Sequence, residues 1–400
     1  MRLTAWDFPP GTPLYHFFAW NEAARCKDRR YRLARDPEYL PPDIAAALHT
    51  AAGNPEIVAH AAVFAALEKR EGVSASRRVL VIRLSAFGDF VQALGPFEAI
   101  RRHHPADRLT LLTTRPLAAF ARDLGYFDEI MIDERPGPLA IGGWLALRRR
   151  LRQERFDRVY DLQTSQRSAR YAWLMRPGLP EWSGVAWGCS HPHANLDRDR
   201  QHTLDKQAEQ LLMAGIHPTP LPTLPVLDRP LPEALDGCAF ALLVPGSSPQ
   251  HPAKRWPTRC FAEVALALAT RGLIPVIVGT APEAPLGAAI RETCPAVLDL
   301  IGRTDLTTLA ALAQRAVLTI GNDTGVCHLA AAAGCAVIVL FSQESDPARC
   351  APRGRFVRVL AQPDLNDLPA VAVIAEAERV FEQECDGTAS VERRPAASIR

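Results

Sequence analysis

"AVLTIGNDTGVCHLAAAAG", residues 316–334, decides how this chain folds. Its first five residues are an aliphatic, partly β-branched run of strand character, whereas its alanine-rich end has helix character. Between them Gly321 and Asn322 turn the chain, and a helix begins near Thr324. A strand that passes through a tight turn straight into a helix is one βα unit of a parallel sheet. The first amides of such a helix have no partner inside it, so the N–H groups of Thr324 and Gly325 form a ready anion site. Asp323 would repel a diphosphate held there and is assigned to sugar hydroxyls. His328, one turn into the helix, lies on the same side as Thr324 and either touches a phosphate or packs structurally.

Working outward, the same rhythm fills the second half. The runs AFALLVPGSS (239–248), LIPVIVGT (273–280), AVLDLIG (296–302) and CAVIVLFS (335–342) each precede a helix-like segment, and LPAVAVIAEAERVFEQE (368–384) reads as a closing helix. The first half repeats it with VLVIRL (79–84), RLTLLTT (108–114) and DRVYDLQ (157–163). A proline-rich stretch, HPTPLPTLPVLDRPLP (217–232), breaks the alternation and reads as a linker. The expected architecture is α/β, with two Rossmann-like parallel-sheet domains, residues 77–225 and 226–385, facing a cleft. Open α/β sheets bind ligands beyond the carboxyl ends of their strands, so the functional residues belong at strand-to-helix turns.

Residues 1–76 fall outside this pattern. WDFPPGTPLYHFFAW (6–20) holds six aromatic residues, and RCKDRRYRLAR (25–35) holds six basic residues against one acid. Two readings stay open: a partly helical amphipathic appendage docked on the body, or a contact for a membrane surface or a partner. Residues 386–400 read as a disordered tail.

Four hundred residues exceed one ordinary core, and 48% hydrophobic residues make burial ample. The 46 basic and 44 acidic side chains nearly balance, which argues against a nucleic-acid partner and its phosphate-neutralising face. Nine cysteines are scattered without a C-x-x-C pair, as suits reduced thiols in a cytoplasmic protein. No stretch approaches the ~18 to 20 apolar residues of a membrane span, and the N-terminus lacks a continuous apolar signal core.

Each candidate site lies where an expected strand ends. In RLSAFGDF (83–90), Gly88 permits a turn and Asp89 starts the next helix. Asp89 is either a helix-terminal acid or a cleft-facing carboxylate that takes a proton from a substrate hydroxyl. In VPGSSPQHPAKRWP (244–257), Gly246, Ser247 and Ser248 let phosphate oxygens approach the backbone and hydroxyls. Lys254 adds a compact positive charge just before a helix with Pro257 in its first turn. Glu283, after the strand in VIVGTAPEAPL (276–286), is either a ribose-binding carboxylate or a solvated acid in a first helical turn. There is neither a P-loop nor a G-x-G-x-x-G after any strand, which lowers the case for a nicotinamide or flavin enzyme. Cys189, His191, His193 and His202 lie close in sequence but follow no standard zinc spacing, so no metal is assigned.

Five stretches, RRVLVIRLSAFGDFVQALGPFEAIRRHHP, DRVYDLQTSQRSAR, QHTLDKQAEQLLMAGI, PGSSPQHPAKRWP and IGNDTGVCHLAAAAG, together resemble glycosyltransferase family nine, the ADP-heptose lipopolysaccharide heptosyltransferases. They occur in the same order over about residues 77–385. The resemblance implies a GT-B enzyme that moves heptose from an ADP-activated donor to a lipopolysaccharide core acceptor, with inversion and without a cofactor or obligatory metal. Residue by residue it makes Asp89 the general base, Lys254 a diphosphate contact, Glu283 the ribose carboxylate and Asp323 the heptose-binding acid. Thr324, Gly325 and His328 become the phosphate-binding turn, and Arg83, Gln163 and Arg167 lie on the acceptor side. His202 and Asp205 match a structural H-x-x-D pair. It also implies a cytoplasmic protein in peripheral contact with the inner membrane.

The chain departs from the family pattern in three places. Thr164 stands after DLQ where glycine is usual, Val326 and Cys327 replace Pro-Met after NDTG, and FSQES (341–345) replaces F-G-P-T. These leave room for two other readings: a heptosyltransferase whose acceptor is a protein, and a non-catalytic nucleotide-sugar binding protein.

Overall fold

The computed structural model describes residues 76–388, except Ala194, Leu196 and Pro249, with side chains described to residue 383. The aromatic and basic segment before Ser76 and the tail beyond Thr388 lie outside the described residues. The chain separates into two compact units between Pro222 and Thr223, inside the proline-rich stretch.

The first unit carries β1 (Arg78–Ile82), β2 (Arg108–Thr113), β3 (Glu129–Ile132), β4 (Arg158–Asp161), β5 (Glu181–Gly184) and β6 (His191–Pro192) in one parallel sheet of order β3-β2-β1-β4-β5-β6. Its helices are α1 (Phe87–Gln92), α2 (Leu94–His103), α3 (Arg115–Asp123), α4 (Ile141–Gln153), α5 (Gln166–Met175) and α6 (Thr203–Met213). The second unit carries β7 (Phe240–Val244), β8 (Ile274–Ile277), β9 (Leu298–Asp299), β10 (Leu318–Asn322), β11 (Ala336–Phe341) and β12 (Val357–Ala361), in the order β12-β11-β10-β7-β8-β9 and again all parallel. Its helices are α7 (Thr258–Thr270), α8 (Ala284–Thr293), α9 (Leu306–Arg315), α10 (Gly325–Ala332), α11 (Pro347–Cys350) and α12 (Ala370–Thr388).

Counted within each unit, both sheets have the strand order 3-2-1-4-5-6. The order reverses between β1 and β4 in one unit and between β7 and β10 in the other. Such a reversal sends the two neighbouring crossovers to opposite sides and leaves a crevice at the carboxyl ends of the central strands. The central strands are aliphatic throughout because both faces are covered: Val79 to Ile82 and Val337 to Phe341 are all fully buried. The missed strands β3, β5, β6 and β12 lie toward the sheet margins. There a strand need not be continuously apolar, and β12 keeps Arg358 on its exposed side.

Two local results differ from expectation. Pro257 stands at the N-cap of α7 rather than in its first turn, and α12 continues through Asp386, Gly387 and Thr388, where the sequence suggests a disordered tail. A formed helix adds residues at little cost once nucleated. In the first unit, a Cβ on Gly95 would lie 2.0 Å from the carbonyl oxygen of Pro220. Only glycine lets the start of α2 meet the linker backbone there.

Candidate functional site

In the first unit the β1–α1 turn is built around Arg83. Its guanidinium is buried, with the residue 4% exposed, and donates to the carbonyl of Asp89 through Nε (3.1 Å) and Nη2 (2.8 Å) and to that of Leu162 through Nη1 (2.6 Å). Nη2 also stands 3.5 Å from Asp89 Oδ1, and the Asp89 side chain is 47% exposed. Asp89 Oδ2 accepts from the Ala86 amide at 3.2 Å, so the acid helps to begin α1. The carboxylate is thus fixed from behind by a cation and an amide while its open side meets solvent. A carboxylate so held and so accessible is placed to accept a proton.

Gln163 braces the same turn. Its Oε1 accepts from the amides of Leu84 (2.8 Å) and Ser85 (3.2 Å), tying the end of β4 to the end of β1. Arg167 on α5 reaches Asp133 Oδ2 (3.4 Å) and the Tyr171 hydroxyl (2.8 Å) and lies over the Trp144 ring at 5.0 Å. The Tyr171 hydroxyl also donates to Asp133, and burial with that carboxylate pushes the phenol pKa up. Arg83, Gln163 and Arg167 therefore hold the protein together at this site; Arg83 is buried, whereas Gln163 and Arg167 keep partial exposure.

Thr164 explains the usual glycine. Its φ is +44°, in the left-handed region, and its amide donates to Asp161 Oδ1 at 3.0 Å. A β-branched residue adopts that conformation at a cost that glycine avoids. Asp161 itself is fully buried and its pKa is raised to about 6 by burial. The sequence reading missed this acid because it stands inside a strand.

In the second unit Asn322 staples the site. Fully buried, it donates from Nδ2 to the carbonyls of Pro245 (2.9 Å) and Gly246 (3.2 Å) and accepts the Trp256 amide at Oδ1 (3.0 Å). One side chain thereby fixes both ends of the 245–256 loop against β10. Within the loop Ser247 is buried and engaged: its hydroxyl accepts from Arg255 Nε (3.1 Å) and donates to the His251 carbonyl (3.3 Å). Ser248 stays exposed.

The loop delivers Lys254 to Asp323, with Nζ at 2.8 Å from Oδ2; the two side chains are 18% and 10% exposed. Ser345, from the loop after β11, donates to the same Oδ2 at 2.8 Å. Next to this pair Thr324 stands at the N-cap position of α10, but its side chain makes no capping bond to the first amides. His328 is buried four residues after Thr324. Cys327 is fully buried and pushed up to about 12 by burial and the Asp323 charge, so its thiol donates to Asn322 O and is no nucleophile.

Glu283 ends a 3-10 turn after β8 and accepts from Thr280 through the amide (2.6 Å) and hydroxyl (2.9 Å). Its carboxylate lies against Gly246 and Gly279: a Cβ on Gly246 would fall 1.7 Å from Oε1, and one on Gly279 would fall 2.7 Å from Oε2. Lys254, Asp323, Glu283 and the α10 N-terminus thus gather around the carboxyl ends of β7, β8 and β10. A cation and free amides suit a diphosphate, and carboxylates suit vicinal hydroxyls.

The histidine-rich stretch serves other ends. His202 caps α6 by accepting the Leu204 amide at 3.1 Å, His193 Nε2 stands 3.4 Å from Glu209, and His191 contacts the Ser190 hydroxyl at 2.8 Å. Among the described residues no group of three potential ligands could hold a metal ion, and no helix is long and apolar enough to cross a membrane.

Residues 144–375, more than half of the chain, match the model of glycosyltransferase family 9 (heptosyltransferase). Lipopolysaccharide heptosyltransferase 2 of Escherichia coli K12 is 28% identical over 299 residues, covering 67% of this chain and 83% of that protein. A 99-residue stretch is 34% identical to lipooligosaccharide heptosyltransferase 2 of Haemophilus influenzae, covering 24% of this chain but 29% of that relative. In structure the chain resembles E. coli ADP-heptose lipopolysaccharide heptosyltransferase II, with a TM-score of 0.63 at 22% identity, covering 77% of this chain and 99% of the other. The shared fold is the expected α/β, GT-B-like one.

Proposed function

The chain belongs to glycosyltransferase family 9, and from that premise we propose that it moves heptose from ADP-heptose to a lipopolysaccharide core acceptor with inversion. The Lys254–Asp323 pair beside the uncapped start of α10 carries this reading, because it sets a cation, an acid and free amides where a nucleotide sugar needs all three. Lys254 and the amides of Thr324 and Gly325 bind the diphosphate, Asp323 accepts heptose hydroxyls, and Glu283 accepts those of the ribose.

In the reaction Asp89 takes the proton of an acceptor hydroxyl as its oxygen attacks the anomeric carbon. The bond from that carbon to the diphosphate oxygen breaks, and the charge that grows on ADP meets Lys254 and the helix amides. Arg83 keeps Asp89 in place by its backbone and carboxylate.

The reading puts the enzyme in the cytoplasm, at the inner-membrane surface where a lipid-linked acceptor is presented; the basic, aromatic segment before residue 36 supports that contact. Calorimetric titration with ADP, UDP and GDP tests the donor assignment. ADP is expected to bind most tightly, and a preference for UDP would refute it. Transfer of heptose to an isolated core acceptor tests the rest.

A further inference from the structure

We propose that Ser345 is a positioning residue of the donor-sugar site, holding Asp323 in its sugar-binding orientation when Lys254 turns to the diphosphate. This rests on the reading of Asp323 as the heptose acid and adds a residue from the loop after β11, FSQES.

The argument begins with one oxygen. Asp323 Oδ2 receives two donors, Lys254 Nζ and Ser345 Oγ, each at 2.8 Å, while Oδ1 receives none from the described residues. The ammonium compensates a carboxylate that is nine-tenths hidden from solvent. A diphosphate carries more negative charge than a carboxylate and competes for that ammonium. A buried carboxylate stripped of its donor is costly and would rotate to find another. The Ser345 hydroxyl removes the need, since it keeps Oδ2 satisfied and leaves Oδ1 facing the sugar.

The loop that carries Ser345 is anchored for this task. The Ser345 amide donates to the Ser342 carbonyl at 3.3 Å, and the Glu344 amide to the Ser342 hydroxyl at 3.3 Å. Glu344 Oε2 stands 3.4 Å from His251 Nδ1, within the same loop that bears Lys254. The serine, the acid and the lysine are therefore held as one unit by two loops that meet over the end of β10.

The test compares ADP with ADP-heptose, since only the second engages Asp323. Ser345→Ala is expected to leave the Kd for ADP within twofold while raising the Kd and KM for ADP-heptose about tenfold, with kcat falling less. Ser345→Thr keeps the hydroxyl and should restore the native values. Equal weakening of ADP and ADP-heptose in a variant whose circular dichroism is native, or no change for either ligand, would overturn the assignment. So would failure of Ser345→Thr to recover ADP-heptose affinity. Should the native chain bind ADP but not ADP-heptose, the donor reading itself fails, and this assignment with it.

Discussion

Asp89 in the first unit and Asp323 in the second both follow a strand at the point where the sheet order reverses, and both have a basic partner. They differ in exposure and in how the partner is used. Arg83 spends most of its donors on carbonyl oxygens and leaves the Asp89 carboxylate half open, whereas Lys254 places its ammonium directly on a carboxylate that is hidden. A half-open acid with its cation held slightly back can gain a proton. A hidden acid bonded to an ammonium and a hydroxyl is placed to orient a ligand. Under the proposed function the same residue type serves proton transfer after the first strand of one unit and recognition after the fourth strand of the other, both at the point where the sheet order reverses.

The largest test of that contrast is Asp89→Asn. Turnover should fall by about 10³-fold, within the range of a lost general base, while calorimetry finds ADP affinity unchanged. Turnover at native rates would end the distinction. Lys254→Met should do the reverse in kind, weakening ADP about 10- to 100-fold, as expected for losing a charge-assisted contact. If ADP binding survived intact, the ammonium would belong to Asp323 alone.

A third test concerns the support beneath Asp89. Burial raises the Asp161 pKa to about 6 from a carboxylate's ordinary value near 3.8. Its stabilising contribution is therefore complete below about pH 4 and is lost as pH rises through about 6. Relative to the native chain, Asp161→Asn should gain stability over that window by up to ~3 kcal/mol, and denaturant melts at pH 4 and 7 measure the difference. A constant difference would show that Asp161 titrates normally. The smallest effect belongs to Thr164→Gly, which relieves the left-handed φ and should stabilise by ~1 kcal/mol or less after the entropy of glycine is subtracted. Lower stability would mean that Thr164 packs better than its backbone suffers.

Much of this was legible in the residues. The aliphatic runs marked the central strands because both faces of those strands are buried, and the small residues after them marked the turns. The stretch at 316–334 showed a helix N-terminus but not the work of Asn322, read only as a turn residue. Its partners lie 66 to 77 positions away and come near only when β7 and β10 pair. Ser247 was read for its hydroxyl, which Arg255 takes up, and nothing local signals that pairing. The Asp323 and Lys254 assignments were made separately, and their direct contact was not visible either. Ser345 sat in a stretch noted only for being unusual. Individual turns are written locally, whereas the bonds that couple one turn to another depend on strand order.

Glu283 lies where a side chain on Gly246 or Gly279 would have to be, so two neighbouring positions and one distant one share one small volume. Such sharing leaves a trace in inheritance. Descendants that enlarge position 246 must first give up or relocate the acid at 283, and lineages that have lost the acid are released from keeping the glycine. Substitutions at these positions should therefore arrive together, with changes of nucleotide preference following the pair rather than either residue alone.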